Sequence, residues 1–277
     1  MKPEQFQAAL AQMGVNLSAD QMAQFEQYYQ YLIEVNQHLN LTRITAKEDV
    51  YLKHFYDSLI GAFAEPQLKD QPWHLCDIGA GAGFPSLPLK IAFPQLQVTI
   101  VDSLNKRIDF LRALVTKLGL TGVELVHGRA EEFSAKQSSY REQFDLVTAR
   151  AVARLSVLSE LCLPAVKVGG EFLAYKAAAA DDELQAAQGA IQTLGGKVSS
   201  TMQLVLPTQP EPEQRNLIII DKVAATPQKY PRPAPSCRSW CKPPPQQRQQ
   251  SRRPPTFLRR VRPRHPMPVT SSVIRPA

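Results

Sequence analysis

The chain has 277 residues, 44% of them hydrophobic and 21% charged, and a formal net charge of +7. That composition suits a globular protein, and no apolar run approaches the ~18 residues of a transmembrane helix. Met1-Lys2-Pro3-Glu4-Gln5-Phe6 lacks the basic-then-apolar pattern of a secretory signal and four cysteines are too few for a disulfide scaffold, so a cytoplasmic protein with no membrane partner is expected.

Residues 1–71 read as a helical N-terminal segment. Ser18-Ala19-Asp20-Gln21 is a capping box, after which Met22, Phe25, Tyr29, Leu32, Ile33 and Leu39 recur at three- and four-residue steps as one apolar face. Asn40-Leu41-Thr42 breaks this helix, a further helix is predicted over about Ala46 to Phe63, and Pro66 to Pro72 is a polar linker. Residues 72–226 then alternate short strands and helices. Strands are predicted at His74–Ile78, Gln97–Val101, Val123–His127, Phe144–Ala149 and Glu171–Lys176, with a closing β pair at Lys197–Leu206 and Arg215–Asp221. Helices are predicted at Pro85–Phe93, Asn105–Leu118, Leu155–Leu163 and Asp181–Leu194. This alternation implies an α/β fold, a mostly parallel sheet with helices on both faces.

Residues 227–277 read as a disordered Pro/Arg-rich tail. Residues 228–277 hold 12 of the 32 Lys and Arg and 12 of the 23 prolines, with no Gly, Asp or Glu. Residues 1–227 therefore set 20 basic against 25 acidic residues, a net of −5, and the basic balance belongs to the tail.

The informative stretch is Asp77-Ile78-Gly79-Ala80-Gly81-Ala82-Gly83-Phe84-Pro85, a strand running into three alternating glycines and then a helix. Glycines at a strand-to-helix turn let a ligand approach the backbone, and ligands of open α/β sheets bind beyond such strand ends. Asp102 ends the next strand, 23 residues after Gly79, where a carboxylate can accept hydrogen bonds from both hydroxyls of a ribose. Two ligands fit: a nicotinamide or flavin dinucleotide, for which the third glycine comes one position early, and S-adenosylmethionine, whose amino-acid end Asp77 also suits.

Seven segments, in order, resemble the bacterial 16S rRNA guanine-N7 methyltransferase family. They are Asn40-Leu41-Thr42; His54 to Leu59; the loop Asp77 to Leu89; Val101 to Arg107 with Phe110-Leu111; Gly128 to Glu132; Ala149 to Ala153; and Arg215-Asn216-Leu217. The resemblance covers about residues 1–232. It implies a class I S-adenosylmethionine-dependent methyltransferase fold, a Rossmann-like seven-stranded sheet whose last strand is antiparallel, behind the helical segment. It implies methyl transfer from S-adenosylmethionine to N7 of a guanine in the 530 loop of 16S rRNA (guanine 527 in rRNA numbering), by a monomer acting on 16S rRNA or a small-subunit assembly intermediate. By position, Gly79 and Phe84 are expected to line the methionine and methyl side, Asp102 to hold the ribose, Ala130 and Glu131 to meet the adenine, and Arg150 to close the site. Family members often carry Thr at position 80, Gly at 86 and Gly after the strand lysine. This chain has Ala80, Ser86 and, after Lys176, four alanines.

N7 of guanine carries a free lone pair at neutral pH, so its methylation requires orientation and water exclusion rather than a general base. No catalytic acid–base pair is expected, and none stands at suggestive spacing. Guanine O6 and N7 match an Arg or Lys fork, which makes Arg150, Lys176 and Arg215 candidates for gripping the base or its phosphates. His54 and Asp57 share a helical face, with a packing role at the cofactor loop expected rather than a dyad. Cys162 is expected in the core. No metal is expected, since Cys237 and Cys241 have only His265 near them in sequence. Competing readings are a methyltransferase for another RNA or a small molecule, an NAD(P)-binding oxidoreductase, and a catalytically dead RNA-binding module. The resemblance stops after Lys229-Tyr230-Pro231-Arg232, and the tail reads as an Arg-rich arm adding non-specific RNA affinity, as inert, or, as the loss of acids and glycines there favours, as the product of a shifted reading frame.

Overall fold

A computed structural model describes residues 1–150, 153–177 and 180–233. Helix α1 (Pro3–Gln12) leads to α2 (Ala19–Leu39), which opens on the capping box: Ser18 Oγ accepts from the Gln21 N–H at 3.2 Å while Gln21 Oε1 accepts from the Ser18 N–H at 2.8 Å. Asn40 ends α2 in the left-handed conformation, φ +48°, which asparagine tolerates. The helix expected near 46–63 is interrupted. Short α3 (Lys47–Val50) runs through a π-helical turn, Tyr51–Tyr56, into α4 (Asp57–Leu59) and α5 (Gly61–Ala64). A 3₁₀ turn, Pro66–Lys69, lies in the expected linker.

The sheet contains β1 (His74–Ile78), β2 (Gln97–Asp102), β3 (Val123–His127), β4 (Phe144–Arg150), β5 (Val166–Lys176), β6 (Gly196–Leu206) and β7 (Glu213–Lys222), in the order β3-β2-β1-β4-β5-β7-β6. All neighbouring pairs are parallel except those of β7, which runs antiparallel to β5 and to β6. This is the seven-stranded sheet with its antiparallel last strand. Strand β5 begins five residues before its expected start. Gly169-Gly170 looks like a break in the sequence, but a Cβ on Gly170 would sit 2.6 Å from the Asp145 carbonyl oxygen, so glycine there permits close strand approach.

Helices cover both faces. On one, α6 (Ser86–Ala92) and α7 (Asn105–Lys117) share a continuous apolar core with α1, α2 and the 47–64 region, including Phe6, Phe25, Tyr28, Phe55, Phe84, Leu87 and Leu111. On the other, α9 (Leu155–Cys162) and α10 (Ala180–Thr193) pack with Phe144, Phe172 and Ile218, and Cys162 is fully buried among them. Backbone carbonyls of the α/β region receive α2 side chains: Gln21 Nε2 donates to Ile91 O at 2.7 Å and Gln24 Nε2 to Leu118 O at 2.8 Å. The N-terminal helices therefore complete a layer of the fold. Among the described residues, no helix is long and apolar enough to cross a membrane.

Residues 227–233, expected to be disordered, are packed. Tyr230 is buried, Arg141 donates to Tyr230 O at 2.8 Å and Thr226 O at 2.7 Å, and the Arg232 N–H reaches buried Glu160 at 2.8 Å. Two charged side chains spaced along the body tie down a segment whose local composition favours disorder. The expectations for residues 234–277, including Cys237, Cys241 and His265, lie outside the described residues.

Candidate functional site

The glycine turn joins β1 to α6, and its glycines differ in purpose. Gly81, at φ +61°, has nothing within 4 Å of where a Cβ would be, so its backbone faces open space. Gly83, at φ +97°, is hemmed in: a Cβ would lie 2.7 Å from both Leu87 Cδ1 and the Tyr28 hydroxyl. That hydroxyl donates to Ala82 O at 2.5 Å, and the Tyr28 ring stacks on Phe84 at 5.4 Å and 7°. Burial raises the Tyr28 pKa well above its ordinary value, so it stays a donor. Tyr28→Phe is expected to cost about 1–3 kcal/mol, since it leaves a buried carbonyl without its donor. Urea denaturation checks this, and an unchanged midpoint would remove Tyr28 from the support of the loop.

A cavity of about 520 Å³ opens beyond the carboxyl ends of β1, β2 and β4, where the strand order reverses. Gly79, Gly81, Asp102, Arg107, Ala130, Glu131 and Arg150 are among its lining residues. The buried Asp102 carboxylate accepts from the Leu104 N–H at 2.9 Å, the Gly81 N–H at 3.2 Å and Arg107 Nη1 at 3.3 Å. Ala130 and Glu131 belong to a short helix, α8 (Ala130–Phe133), which the sequence reading did not anticipate. Phe84 is not one of the lining residues. Its ring is buried behind the turn, and it reaches the cavity through Arg150, whose guanidinium carbon lies 5.0 Å from the ring centroid.

Asp77 lies fully buried beneath the glycine turn. Its Oδ2 accepts from the Ser86 N–H at 3.2 Å, whereas Oδ1 has no hydrogen-bond partner among the described residues. Burial raises its pKa to about 7, against bonding from Ser86 and the charge of Arg150. The folded chain therefore keeps a proton that the unfolded chain has released between about pH 4 and pH 7. The stabilising contribution is full below about pH 4 and is lost as pH rises through 7, with a slope of at most ~1.4 kcal/mol per pH unit. Asp77→Asn is expected to flatten that dependence in denaturation curves taken from pH 4 to pH 8, and an unaltered slope would contradict it.

A second cavity, about 490 Å³, is lined by Lys53, His54, Asp57, Arg150, Tyr175, Lys176, Glu183 and Arg215, among others. Arg150 lines both cavities. Buried Asp57 divides its carboxylate: Oδ2 accepts from Arg150 Nη1 at 2.9 Å and Oδ1 from Arg215 Nε at 2.9 Å. Arg215 also meets Glu213 at 2.8 Å. Lys176 Nζ pairs with Glu183 at 2.6 Å and donates to Ala153 O at 2.9 Å. The three cations singled out in the sequence thus converge on one cavity wall, each already paired with a carboxylate. His54 and Asp57 form no dyad with each other in this wall, where each faces Arg150 separately.

The sequence reading placed Gly79, Asp102, Ala130, Glu131 and Arg150 together, and they line one cavity. It missed Tyr28, for which it had Tyr29, and it missed the clamp of Asp57 on two arginines. A step of three from Phe25 reaches Tyr28 and a step of four reaches Tyr29, so periodicity alone does not choose between them.

A family model described as rRNA small subunit methyltransferase G matches residues 21–217. Curated proteins named Ribosomal RNA small subunit methyltransferase G are similar to this chain. The protein from Limosilactobacillus reuteri (strain DSM 20016) is 71% identical over 232 residues, covering 84% of this chain and 95% of that protein. That from Levilactobacillus brevis is 62% identical over 234 residues, covering 84% and 96%. That from Lactiplantibacillus plantarum is 59% identical over 232 residues, covering 84% and 94%.

Proposed function

The chain belongs to the rRNA small subunit methyltransferase G family, and on that footing we propose that it transfers a methyl group from S-adenosylmethionine to N7 of a guanine in the 530 loop of 16S rRNA, guanine 527 in rRNA numbering. The observation that carries this reading is a pair of cavities, one at the glycine turn and one lined by His54, Asp57 and Arg215, with Arg150 in the lining of both. One cavity suits a nucleoside cofactor and the other an acceptor base, and transfer takes place across their common side. The substrate is 16S rRNA or a small-subunit assembly intermediate, and the enzyme acts in the cytoplasm as a monomer.

The residues present fit S-adenosylmethionine. Gly81 leaves its backbone open, Asp102 is a buried acceptor at the cavity wall, and Asp77 keeps an unpartnered buried oxygen beneath the turn. When bound, the cofactor supplies an electrophilic methyl group on a sulfonium. Asp102 would accept from the ribose hydroxyls, its carboxylate held still by the Leu104 and Gly81 N–H groups. Gly79 would border the methionine end, with Phe84 acting through Arg150. Ala130 and Glu131 would meet the adenine. Because the N7 lone pair is already available, no side chain has to remove a proton. Arg150 orients the base, and Arg215 and Lys176, each already paired with a carboxylate, offer their remaining N–H donors at the wall.

Calorimetry is expected to show binding of S-adenosylhomocysteine and none of NAD, and the reverse would restore the oxidoreductase reading. Asp102→Ala should weaken that binding by about 1–3 kcal/mol, or about 5- to 150-fold. Unaltered affinity would remove Asp102 from the site. Mass mapping of 16S rRNA from a deletion strain tests the substrate, and persistence of 7-methylguanine in the 530 loop would refute it.

A further inference from the structure

A chain of contacts runs from the N-terminal helices to Arg150 and passes through His54. The turn at Asn40 brings Thr42 back against α2, where the Asn36 side chain holds both its N–H, at 2.8 Å, and its carbonyl, at 3.0 Å. Thr42 Oγ1 lies 2.8 Å from His54 Nε2 and accepts from the Ile44 N–H at 3.0 Å. The imidazole stacks on Phe84 at 4.5 Å and 15°. Its Nδ1 lies 3.4 Å from Arg150 Nη2.

We propose that His54 is a positioning residue for Arg150: as the neutral Nε2–H tautomer, held by Thr42, it sets the plane of the guanidinium in the wall between the two cavities. The proposal rests on the reading of Arg150 as the group that orients the acceptor base. Asp57 alone cannot set that plane. One of its oxygens is spent on Arg215, so the bidentate fork usual for an arginine and a carboxylate is not available to Arg150. Nη1 donates to Asp57 Oδ2 at 2.9 Å and reaches Ser58 Oγ at 3.4 Å and the His54 carbonyl at 3.5 Å, but contacts gathered at that one nitrogen leave the guanidinium free to swing about it. The second fixed point is the His54 contact at Nη2, and the third is the face of Phe84.

The tautomer follows from the donors. A guanidinium carries donors only and stays protonated, so Nδ1 presents its lone pair to Arg150. The proton then sits on Nε2 and is donated to Thr42 Oγ1. Burial lowers the His54 pKa to about 3, reinforced by the charge of Arg150 and opposed by the Lys53 carbonyl, which agrees with a ring that is neutral at pH 7.

Two measurements on the full chain test this. In ¹⁵N-histidine NMR of the wild type, His54 is expected as the Nε2–H tautomer from pH 5 to pH 8. A protonated ring or an Nδ1–H tautomer at pH 7 overturns the proposal, and this spectrum decides the geometry whatever the activity. In methyl transfer to small-subunit rRNA, His54→Phe keeps a ring on Phe84 but loses both hydrogen bonds, and kcat is expected to fall about 10- to 100-fold with S-adenosylhomocysteine affinity within about twofold. His54→Asn offers an acceptor where Nδ1 stood and should recover most of the rate. His54→Gln keeps a donor towards Thr42 without that acceptor and should stay low. A wild-type rate for His54→Phe, or equal losses for the Asn and Gln variants, overturns the proposal. A wild-type enzyme that leaves the 530-loop guanine unmethylated defeats the functional assignment instead.

Discussion

Arg150→Ala is expected to lower kcat for small-subunit rRNA about 100-fold or more while S-adenosylhomocysteine binding changes little. Among the described residues, Arg150 is the one charged side chain that lines both cavities. Its loss removes the group proposed to orient the base, and a misplaced acceptor costs about 10²-fold when catalysis consists of alignment. Arg150→Lys separates charge from shape. A lysine retains the cation but not the planar array that meets Asp57 at Nη1 and His54 at Nη2 together. Most of the loss is therefore expected to remain in Arg150→Lys. Single-turnover kinetics on purified small-subunit rRNA reads the chemical step directly, and a normal rate in either variant would sink the role given to this arginine.

Asp57→Ala is expected to produce the largest loss of stability, about 3–5 kcal/mol. Asp57 is 4% exposed and neutralises two arginines whose side chains are only 13% and 18% exposed. Deleting it leaves two guanidiniums facing one another across a poorly solvated gap, with Glu213 relieving only Arg215. At this chain length the loss corresponds to a Tm about 10 °C lower. Asp57→Asn should lie between, because the amide oxygen still accepts one hydrogen bond but carries no charge. A Tm within 2 °C of wild type for Asp57→Ala would show that water screens the pairs.

Where each residue's role was set by its neighbours in the chain, the sequence was readable. Ser18 and Gln21 cap α2, Asn40 ends it, the glycine turn follows β1 and Asp102 ends β2. These are local rules of backbone conformation and strand alternation. The seven strands also lay where alternating apolar runs placed them, apart from the early start of β5. What stayed hidden depends on partners far away in sequence. Tyr28 is chosen over Tyr29 by a carbonyl 54 residues on, and Asp57 finds arginines 93 and 158 residues away. The π-helical turn at Tyr51–Tyr56 has no composition that marks it, yet it contains His54 and directly precedes Asp57. The packed segment at 227–233 was read as disordered because its prolines and charge were weighed without Arg141 and Glu160, which hold it.

The sheet order has a consequence for synthesis on the ribosome. Strand β7 is made last but sits between β5 and β6. Until Glu213–Lys222 has emerged, both of those strands present an unpaired edge, and β6 has no partner at all. Open edges of that kind invite pairing with other chains. At 5–20 residues per second, the interval between the end of β6 and the end of β7 lasts about 1–3 s. During it the nascent chain already has its glycine turn and Asp102, but β5 still lacks the antiparallel neighbour that carries Arg215 to Asp57. The cavity at the glycine turn, proposed for the cofactor, can thus form during elongation, whereas the one proposed for the acceptor has to wait for β7 to be inserted.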